Sequence, residues 1–542
     1  MKRKLITGSA LLCSALLVVS GCAFGKKKDG DEQKLSLRNL YFSSWEGTDP
    51  YTDFIEEKFG VDIVPASYDY NSWGEQVMGE VNGNNIGDVF HFDLESFNFG
   101  NTYKNWAEGG VTKALPDDLS RWPKIKNLIN NTSNINSLKI GGKLYGLPLA
   151  YNQNDPTKDF SSFTYVYRRD WLKAVDDSHK HGDNTYDAGY PLLNENDEYE
   201  WEDFLKIIDE FGKRTDVIEG NSAAIGDVAW GFPSLTNFFK DSPHCYSVKS
   251  DGSVQNAFTT DGYKKGLDLT RTIIDKKEYF DQPSNTTNTK AYDNFKGGHL
   301  GIYYENLSLS NYSNLRKDIK DLVPGISEEQ LDDRTAIMKV KGEDGKYHLE
   351  GSENWFSMTF FNNDISDEKQ EKILDILDYL LGEEGTKLAI YGKENQDYVI
   401  DENGDVELIS DNWPKKADGE YATKINGAKY LREMITLNND TAEMDPFTDQ
   451  KSYQIIKKWQ NEMKTAKANG KLVTFQEPAN VKWLSTNLKD ENTSGMIKEG
   501  NDTAMNYCYG AGGITDWSKY VATLSTAKWT NTIAEINRAL GH

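Results

Sequence analysis

Cysteine, histidine and proline are scarce in this chain: 542 residues hold 4, 7 and 14 of them. Cys13 and Cys22 sit near the start, leaving Cys245 and Cys508 within the body. One bridge at most joins those two, which excludes a disulfide-stapled scaffold. The long stretch between them leaves both a bridge and two separate thiols open. The sequence has no GxxxxGK[ST], HExxH, GxSxG or CxxC. It therefore lacks the signatures of a phosphate-cradling loop, a zinc protease helix, a nucleophile elbow and a thiol redox pair. Basic residues are outnumbered, 61 against 85, for a formal charge of −24. An acidic surface of that kind repels nucleic acid and anionic headgroups. After the first 21 residues no apolar run reaches 18, so no later segment reads as a membrane span.

Two weak signals read as structure rather than chemistry. His179 and His181 in "HKHGD" lie in a long polar loop, Asp177 to Glu200, and read as solvated rather than metal-bound. "DENGDVE", Asp401 to Glu407, lacks calcium-loop spacing and reads as a turn between strands. No metal or other cofactor is expected. Paired carboxylates are too common in so acidic a chain to mark a glycosidase.

What is present begins at the N-terminus. Lys2, Arg3 and Lys4 precede an uncharged run, Leu5 to Val19, and then Ser20 and Gly21 stand before Cys22. A basic head, a short apolar run and small boundary residues describe an export signal. Val19-Ser20-Gly21-Cys22 resembles a bacterial lipobox, which implies cleavage before Cys22 and diacylation of its sulfur, removing Cys22 from any disulfide. Two acyl chains suffice for stable anchoring. Residues 1–21 are thus expected to be a signal peptide and 22–34 a polar tether. The expected location is the outer face of the cell membrane of a Gram-positive bacterium. Aromatic content is high, 12% with 13 Trp and 29 Tyr, which excludes a disordered acidic chain.

Further along, periodicity predicts alternating elements. "LSLRNLYFSS" alternates as a strand, Tyr51 to Phe59 carries one apolar helical stripe, and "VDIVPAS" is a second strand. Trp73 to Val81 suits a helix and "DVFHFD" a third strand. Strand, helix, strand, helix, strand implies a parallel α/β sheet with ligands at the strands' carboxyl ends. Amphipathic helices are predicted for Trp201 to Arg214, Thr260 to Lys276 and Ser366 to Gly385, and Lys415 to His542 reads as mostly helical.

An ordered set of segments now carries a resemblance: "GGKLYGLPLA", "YVYRRDWL", "WEDFLKIIDEF", "DNFKGGHLGIYYEN" and "ILDYLLGEEGTKLAIYG". Together with the lipobox they resemble the extracellular solute-binding lipoproteins of carbohydrate ABC importers, of the maltose-binding type. The resemblance implies a two-lobed α/β fold of the type II periplasmic-binding class, with crossover strands as hinge and an extended helical C-terminal part. It places crossovers near Pro148 to Tyr151, Gly298 to Tyr303 and Gly351 to Phe361. Lobe one is then 35–150 with 300–355, and lobe two is 151–299 with 356–542. The implied function is non-enzymatic capture of a sugar, an oligosaccharide by preference, for two membrane permease subunits and a separate ATPase, by a monomer. The alternatives are a surface glycoside hydrolase and a same-fold receptor for a peptide or phosphorylated sugar.

A sugar site needs flat aromatic surface for C–H faces and planar polar groups for hydroxyls. Carried over by the resemblance, Trp45, Trp230 and Trp355 would stack, while Glu46, Asp93, Glu305 and Asn354 would bond hydroxyls. Phe232 and His91 lie in the same loops. Arg168 and Arg169 are expected to anchor the lobe through ion pairs.

Overall fold

The computed structural model describes residues 33–42, 45–69, 72–93, 99–150, 160–214, 224–227, 234–241, 245–276, 279–280, 290–402, 405–414, 424–437, 441–475 and 493–542. Two mixed sheets dominate. The first holds β1 (Gln33–Asn39), β2 (Val61–Ser67), β3 (Val89–Asp93), β4 (Leu147–Ala150) and β14 (Trp355–Phe361), in the order β2-β1-β3-β14-β4. β2 and β3 run parallel to β1, and β14 runs antiparallel to both β3 and β4. The second holds β5 (Phe163–Tyr167), β6 (Glu198–Tyr199), β7 (Ile225–Asp227), β10 (Tyr279–Phe280), β11 (Ile302–Asn306) and β12 (Ala336–Val340), in the order β10-β7-β11-β5-β12-β6. Three two-stranded pairs complete the set: β8 (Tyr246–Val248) with β9 (Val254–Asn256), β13 (Tyr347–Glu350) with β17 (Leu472–Phe475), and β15 (Tyr398–Ile400) with β16 (Val406–Leu408).

Local signals explain the elements. Asp49 caps helix Pro50–Phe59 by accepting from the N–H of Tyr51 and Thr52, and Gly60 ends it in the left-handed region at φ 66°. Ser366 caps Asp367–Leu381, and Ser327 with Gln330 forms a capping box on Glu328–Arg334. The "DENGDVE" segment does lie between two antiparallel strands, β15 and β16. The expected strand Leu35 to Ser44 stops at Asn39 and tightens into a 3₁₀ turn over Leu40–Phe42. The expected helix Ser366 to Gly385 is two helices, broken at Gly382, whose N–H bonds the Tyr379 carbonyl.

Each sheet has its own apolar core. Leu35, Val89, Phe92, Leu147 and Phe360 join Ile373, Leu377, Leu431 and Ile435 around the first. Tyr165, Tyr167, Phe204, Ile208, Ile225 and Met338 fill one face of the second. Val166, Tyr303, Tyr312 and Leu315 fill the other with Trp459 and Met463 from helix Gln450–Ala468. The last helices, Thr493–Tyr509, Trp517–Thr523 and Ala527–Leu540, share a further cluster with Tyr246, Phe258, Tyr263 and Leu267. Burying side chains such as Phe258 there stabilises the assembly by about 1.5–3 kcal/mol each. Cys245 and Cys508 are both buried thiols of this cluster.

The lobe boundaries expected from sequence need correcting. Residues 300–350 do not belong with the first sheet, because β11 and β12 pair antiparallel with β5 in the second, and only Trp355, which opens β14, joins the first. Helices Asp367–Leu381, Glu383–Tyr391 and Gly427–Arg432 pack on the first core instead. The paired glycines Gly297 and Gly298 form a turn after helix Lys290–Lys296, within the second half, and no crossing occurs there. Among the described residues the chain passes between the sheets between β4 and β5, between β13 and β14, and between Ile435 and helix Gln450–Ala468. Glycines offer turns at many places; which one changes sheet depends on pairings that local sequence does not carry.

Candidate functional site

Topology brings two sheet edges near one another. β4 ends at Ala150 on the same edge as Asn39 of β1 and Asp93 of β3, and β14 begins there at Trp355. In the second sheet Phe163 opens β5 opposite Asn306, the last residue of β11. Four residues separate Glu350 of β13 from Trp355 of β14. Glu350 and Trp355 are thus five residue steps apart, roughly 18 Å at most in extended chain. The carboxyl edge of β1, β3 and β4 therefore lies close to the Phe163–Asn306 edge, where ligands bind in open α/β sheets.

At the first edge the segment after β1 is held by one carboxylate. Asp49 Oδ1 accepts from the backbone N–H of Tyr51 (3.1 Å), Thr52 (3.1 Å) and Gly427 (3.0 Å), and Oδ2 from Trp45 Nε1 (2.9 Å) and the Thr52 hydroxyl. The Trp45 ring stacks on Tyr430 at 5.5 Å and meets Phe42 edge-on at 4.7 Å. It is 4% exposed, so its faces and its N–H are already used. Glu46, the next residue, is exposed. Asp93 ends β3 and is 7% exposed, paired across the ladder with Ser357. Beside it His91 is fully buried between Trp73 (4.8 Å) and Tyr41 (5.7 Å), with Nε2 at 2.6 Å from the Ser357 hydroxyl. Burial pushes the His91 imidazole down to about 3, so the ring is neutral at ordinary pH.

At the second edge Glu305 accepts from the Tyr303 hydroxyl and from its neighbour's backbone, Asn306 N–H, at 2.7 Å. Burial raises its pKa, and those two donors act against the rise. Half-buried Phe163 stacks on Tyr304 at 5.8 Å, and Asn237 Nδ2 donates to the Tyr304 hydroxyl at 2.6 Å. Asp227, ending β7, accepts from Ser234 N–H at 3.1 Å. Arg168 bonds Asp170 two residues on, at the start of the same helix, whereas Arg169 bonds Asp197 and Asp333 and so ties elements of the second half together.

Of the seven residues carried over from the resemblance, Glu46, Asp93 and Glu305 stand at these two edges. Trp45, Asn354 and Trp355 turn inward. Asn354 is 4% exposed; its Oδ1 accepts from Ser133 N–H (2.8 Å) and hydroxyl (3.0 Å), and its Nδ2 donates to the Asn131 carbonyl (2.7 Å). Trp355 is 2% exposed and donates Nε1 to the Ser133 carbonyl at 3.0 Å. Trp230 and Phe232 lie outside the described residues, as does Cys22. Phe163 and Tyr41 were not singled out from sequence. Their signal was positional: each is an aromatic at the strand end that borders a crossing or a ligand loop.

Among the described residues no group of three or more His, Cys, Asp or Glu side chains is arranged to hold a metal ion. His179 Nδ1 and His181 Nε2 both meet Asp187, at 2.9 and 3.1 Å, and His179 stacks on Tyr190 at 3.7 Å. Nor is any helix among them long and apolar enough to cross a membrane.

No protein-family model matches the sequence, and no curated protein matches it as a relative. Solved structures do. The chain is similar to the ABC-transporter substrate-binding protein FusA of Streptococcus pneumoniae in complex with kestose, at 14% identity and a TM-score of 0.59, covering 93% of this chain and 98% of that one. It is similar to the alginate-binding protein AlgQ2, at 12% identity and a TM-score of 0.61, covering 95% and 99%. A solute-binding protein of Bifidobacterium longum infantis described as binding HMO matches at 12% identity and a TM-score of 0.59, over 94% and 99%. The chain therefore has the fold of the solute-binding proteins of ABC transporters, as the resemblance implied.

Proposed function

We propose that this protein is an extracellular receptor that captures an oligosaccharide for an ABC importer and carries out no chemistry on it. The observation that carries the reading is the likeness to solute-binding structures along nearly the whole chain, with two strand edges near one another at the strand ends where such folds take ligand. The sugars named for FusA and AlgQ2 favour a carbohydrate over a peptide. In the proposed site Glu46, Asp93 and Glu305 accept from sugar hydroxyls, and Phe163 and Tyr41 offer ring faces. Trp230 remains a stacking residue by the resemblance. Trp45, Asn354 and Trp355 shape the edge from beneath. Closure of the halves over the ligand would shift an open–closed population.

The remaining parts of the reading follow the N-terminal sequence. Cys22 would be diacylated and hold a monomer on the outer face of a Gram-positive cell membrane. Two permease subunits and a separate ATPase would complete the importer. The test is a thermal-shift screen of the purified protein against mono- and oligosaccharides, with a peptide pool alongside, followed by calorimetry on Phe163→Ala and Glu305→Ala. A stabilising oligosaccharide, bound at least about tenfold more weakly by each variant, supports the reading. Stabilisation by peptides alone, or release of reducing ends on long incubation with the bound glycan, would overturn it.

A further inference from the structure

The second sheet forks close to its candidate edge. β12 pairs antiparallel with β5 from Ala336 to Met338, opposite Tyr167 to Tyr165. The ladder ends there, although both strands run on. β5 keeps β11 through Thr164 and Phe163, and β12 keeps β6 through Lys339 and Val340. The last link across the parting strands is a long one, from the Thr164 hydroxyl to the Met338 carbonyl at 3.5 Å.

A cavity occupies the fork. Phe163, Thr164 and Lys339 line it from the strands, and Asn237 lines it from the 3₁₀ turn Ser234–Phe238. Helix Gln450–Ala468 covers it with Trp459 and Met463. Lys339 donates to Glu462 of that helix at 2.7 Å, which ties the cover to β12. The centre of a water molecule has about 20 Å³ to occupy there, and one water needs roughly 10–15 Å³ on that measure.

Two polar side chains meet at this cavity with bonding capacity to spare. Asn237 is 5% exposed. Its Nδ2 donates to the Tyr304 hydroxyl at 2.6 Å, whereas its Oδ1 is buried and accepts from no donor among the described residues. Turning the amide over exchanges the two atoms and still leaves one of them over. Buried polar atoms in folded proteins nearly always have a partner, and ordered water serves as one. The Thr164 hydroxyl is buried as well, and its bond to Met338 is at the limit of hydrogen-bonding distance.

We propose that the fork between β5 and β12 holds one ordered water, which donates to Asn237 Oδ1 and bonds the Thr164 hydroxyl. The water replaces the rung that the ladder lacks beyond Met338, since a bridging water serves nearly as well as a direct hydrogen bond. It also steadies the edge beside it: Asn237 holds the Tyr304 hydroxyl, and the Phe163 ring stacks on Tyr304 at 5.8 Å. Asn237 and Thr164 are thus positioning residues for Phe163. The C-terminal extension acquires a task here, because Trp459 and Met463 close the water off from bulk solvent. The use of this edge for sugar rests on the receptor reading above; the water itself does not.

The test is a pair of crystal structures of the ligand-free protein, one of them under xenon pressure. Cavities lined by apolar groups alone stay dry and take up xenon. The parent should show one water peak within about 2.7–3.2 Å of both Asn237 Oδ1 and the Thr164 hydroxyl, and no xenon in the fork. Thr164→Val combined with Asn237→Leu removes both polar groups at nearly constant volume, so the water peak should vanish and xenon should enter. If the double variant does not fold, Thr164→Val alone decides, and its water peak should lose occupancy. Xenon in the parent's fork, no water peak in the parent, or an unchanged peak in the variants overturns the proposal. No sugar enters the test, so failure to bind carbohydrate would sink the receptor reading and leave this result standing.

Discussion

Replacing Asp49 by alanine tests how the first edge is held. The carboxylate receives three backbone N–H groups, an indole N–H and a hydroxyl, and it is buried. Its loss removes the N-cap of helix Pro50–Phe59, which costs about 1 kcal/mol. It also strands the Gly427 N–H without an acceptor inside the protein, at about 1–3 kcal/mol for a buried orphan. Trp45 Nε1 keeps its second acceptor, the Thr52 hydroxyl at 3.2 Å, so the indole adds little. The expected total is about 3 kcal/mol. Spread over a unit of 150–250 residues this lowers the first half's melting temperature by about 6–12 °C. The assay is amide exchange on Pro50–Phe59 and Gly427–Arg432, combined with thermal melting, because two halves need not unfold as one. Both helices should exchange faster together, since Asp49 is their common tie. Asp49→Asn keeps one acceptor for the backbone donors but turns an NH₂ toward Trp45, and should fall about halfway between. A loss below about 0.5 kcal/mol for the alanine variant, or faster exchange in only one helix, would refute the account of this edge.

Three further outcomes are expected. Gly427→Ala places a Cβ 1.9 Å from the Thr52 hydroxyl and 2.9 Å from Asp49 Oδ2, so overpacking should cost about 1–3 kcal/mol in a urea titration. His91 is held neutral by burial, with its folded pKa near 3 against 6.5 unfolded. The unfolded chain then binds the extra proton between those values, so stability falls as pH drops from 6.5 toward 3 and levels off below. The His91 share of that fall has an upper bound of about 5 kcal/mol, and urea midpoints for His91→Gln should show a shallower acid slope than the parent. Equal slopes would remove His91 as a source. In a library titration Trp45→Ala should weaken sugar binding through lost stability of the edge, so its melting temperature falls along with its affinity, whereas Phe163→Ala should lose affinity with its melting temperature nearly kept.

How much of this was legible in the sequence follows from what each signal encodes. The first strand–helix–strand units were readable because period and cap agree locally: Asp49, Gly60 and the stripe of Tyr51 and Ile55 point to one helix. The loops bearing Glu46, Asp93 and Glu305 were readable for the same reason, since a carboxyl strand end is a local feature. The lobe boundaries were not, because β11 and β12 join β5 through pairings across more than a hundred residues, and nothing in "GGHLGIYYEN" states which sheet it enters. The tryptophans show the limit most clearly. Trp45 and Trp355 stand in loops of suitable composition, and composition cannot tell a ring facing a ligand from one facing the core. What separates them is the fate of the indole N–H. A protein acceptor already holds it in both, Asp49 four residues further along for one and the Ser133 carbonyl, far off in the chain, for the other. Long-range geometry likewise turns Asn354 from an expected sugar contact into a side chain spent on Ser133 and Asn131. Loop residues of similar composition are therefore told apart by their buried hydrogen-bond partners, and that criterion assigns Trp45, Asn354 and Trp355 to the scaffold of the first edge.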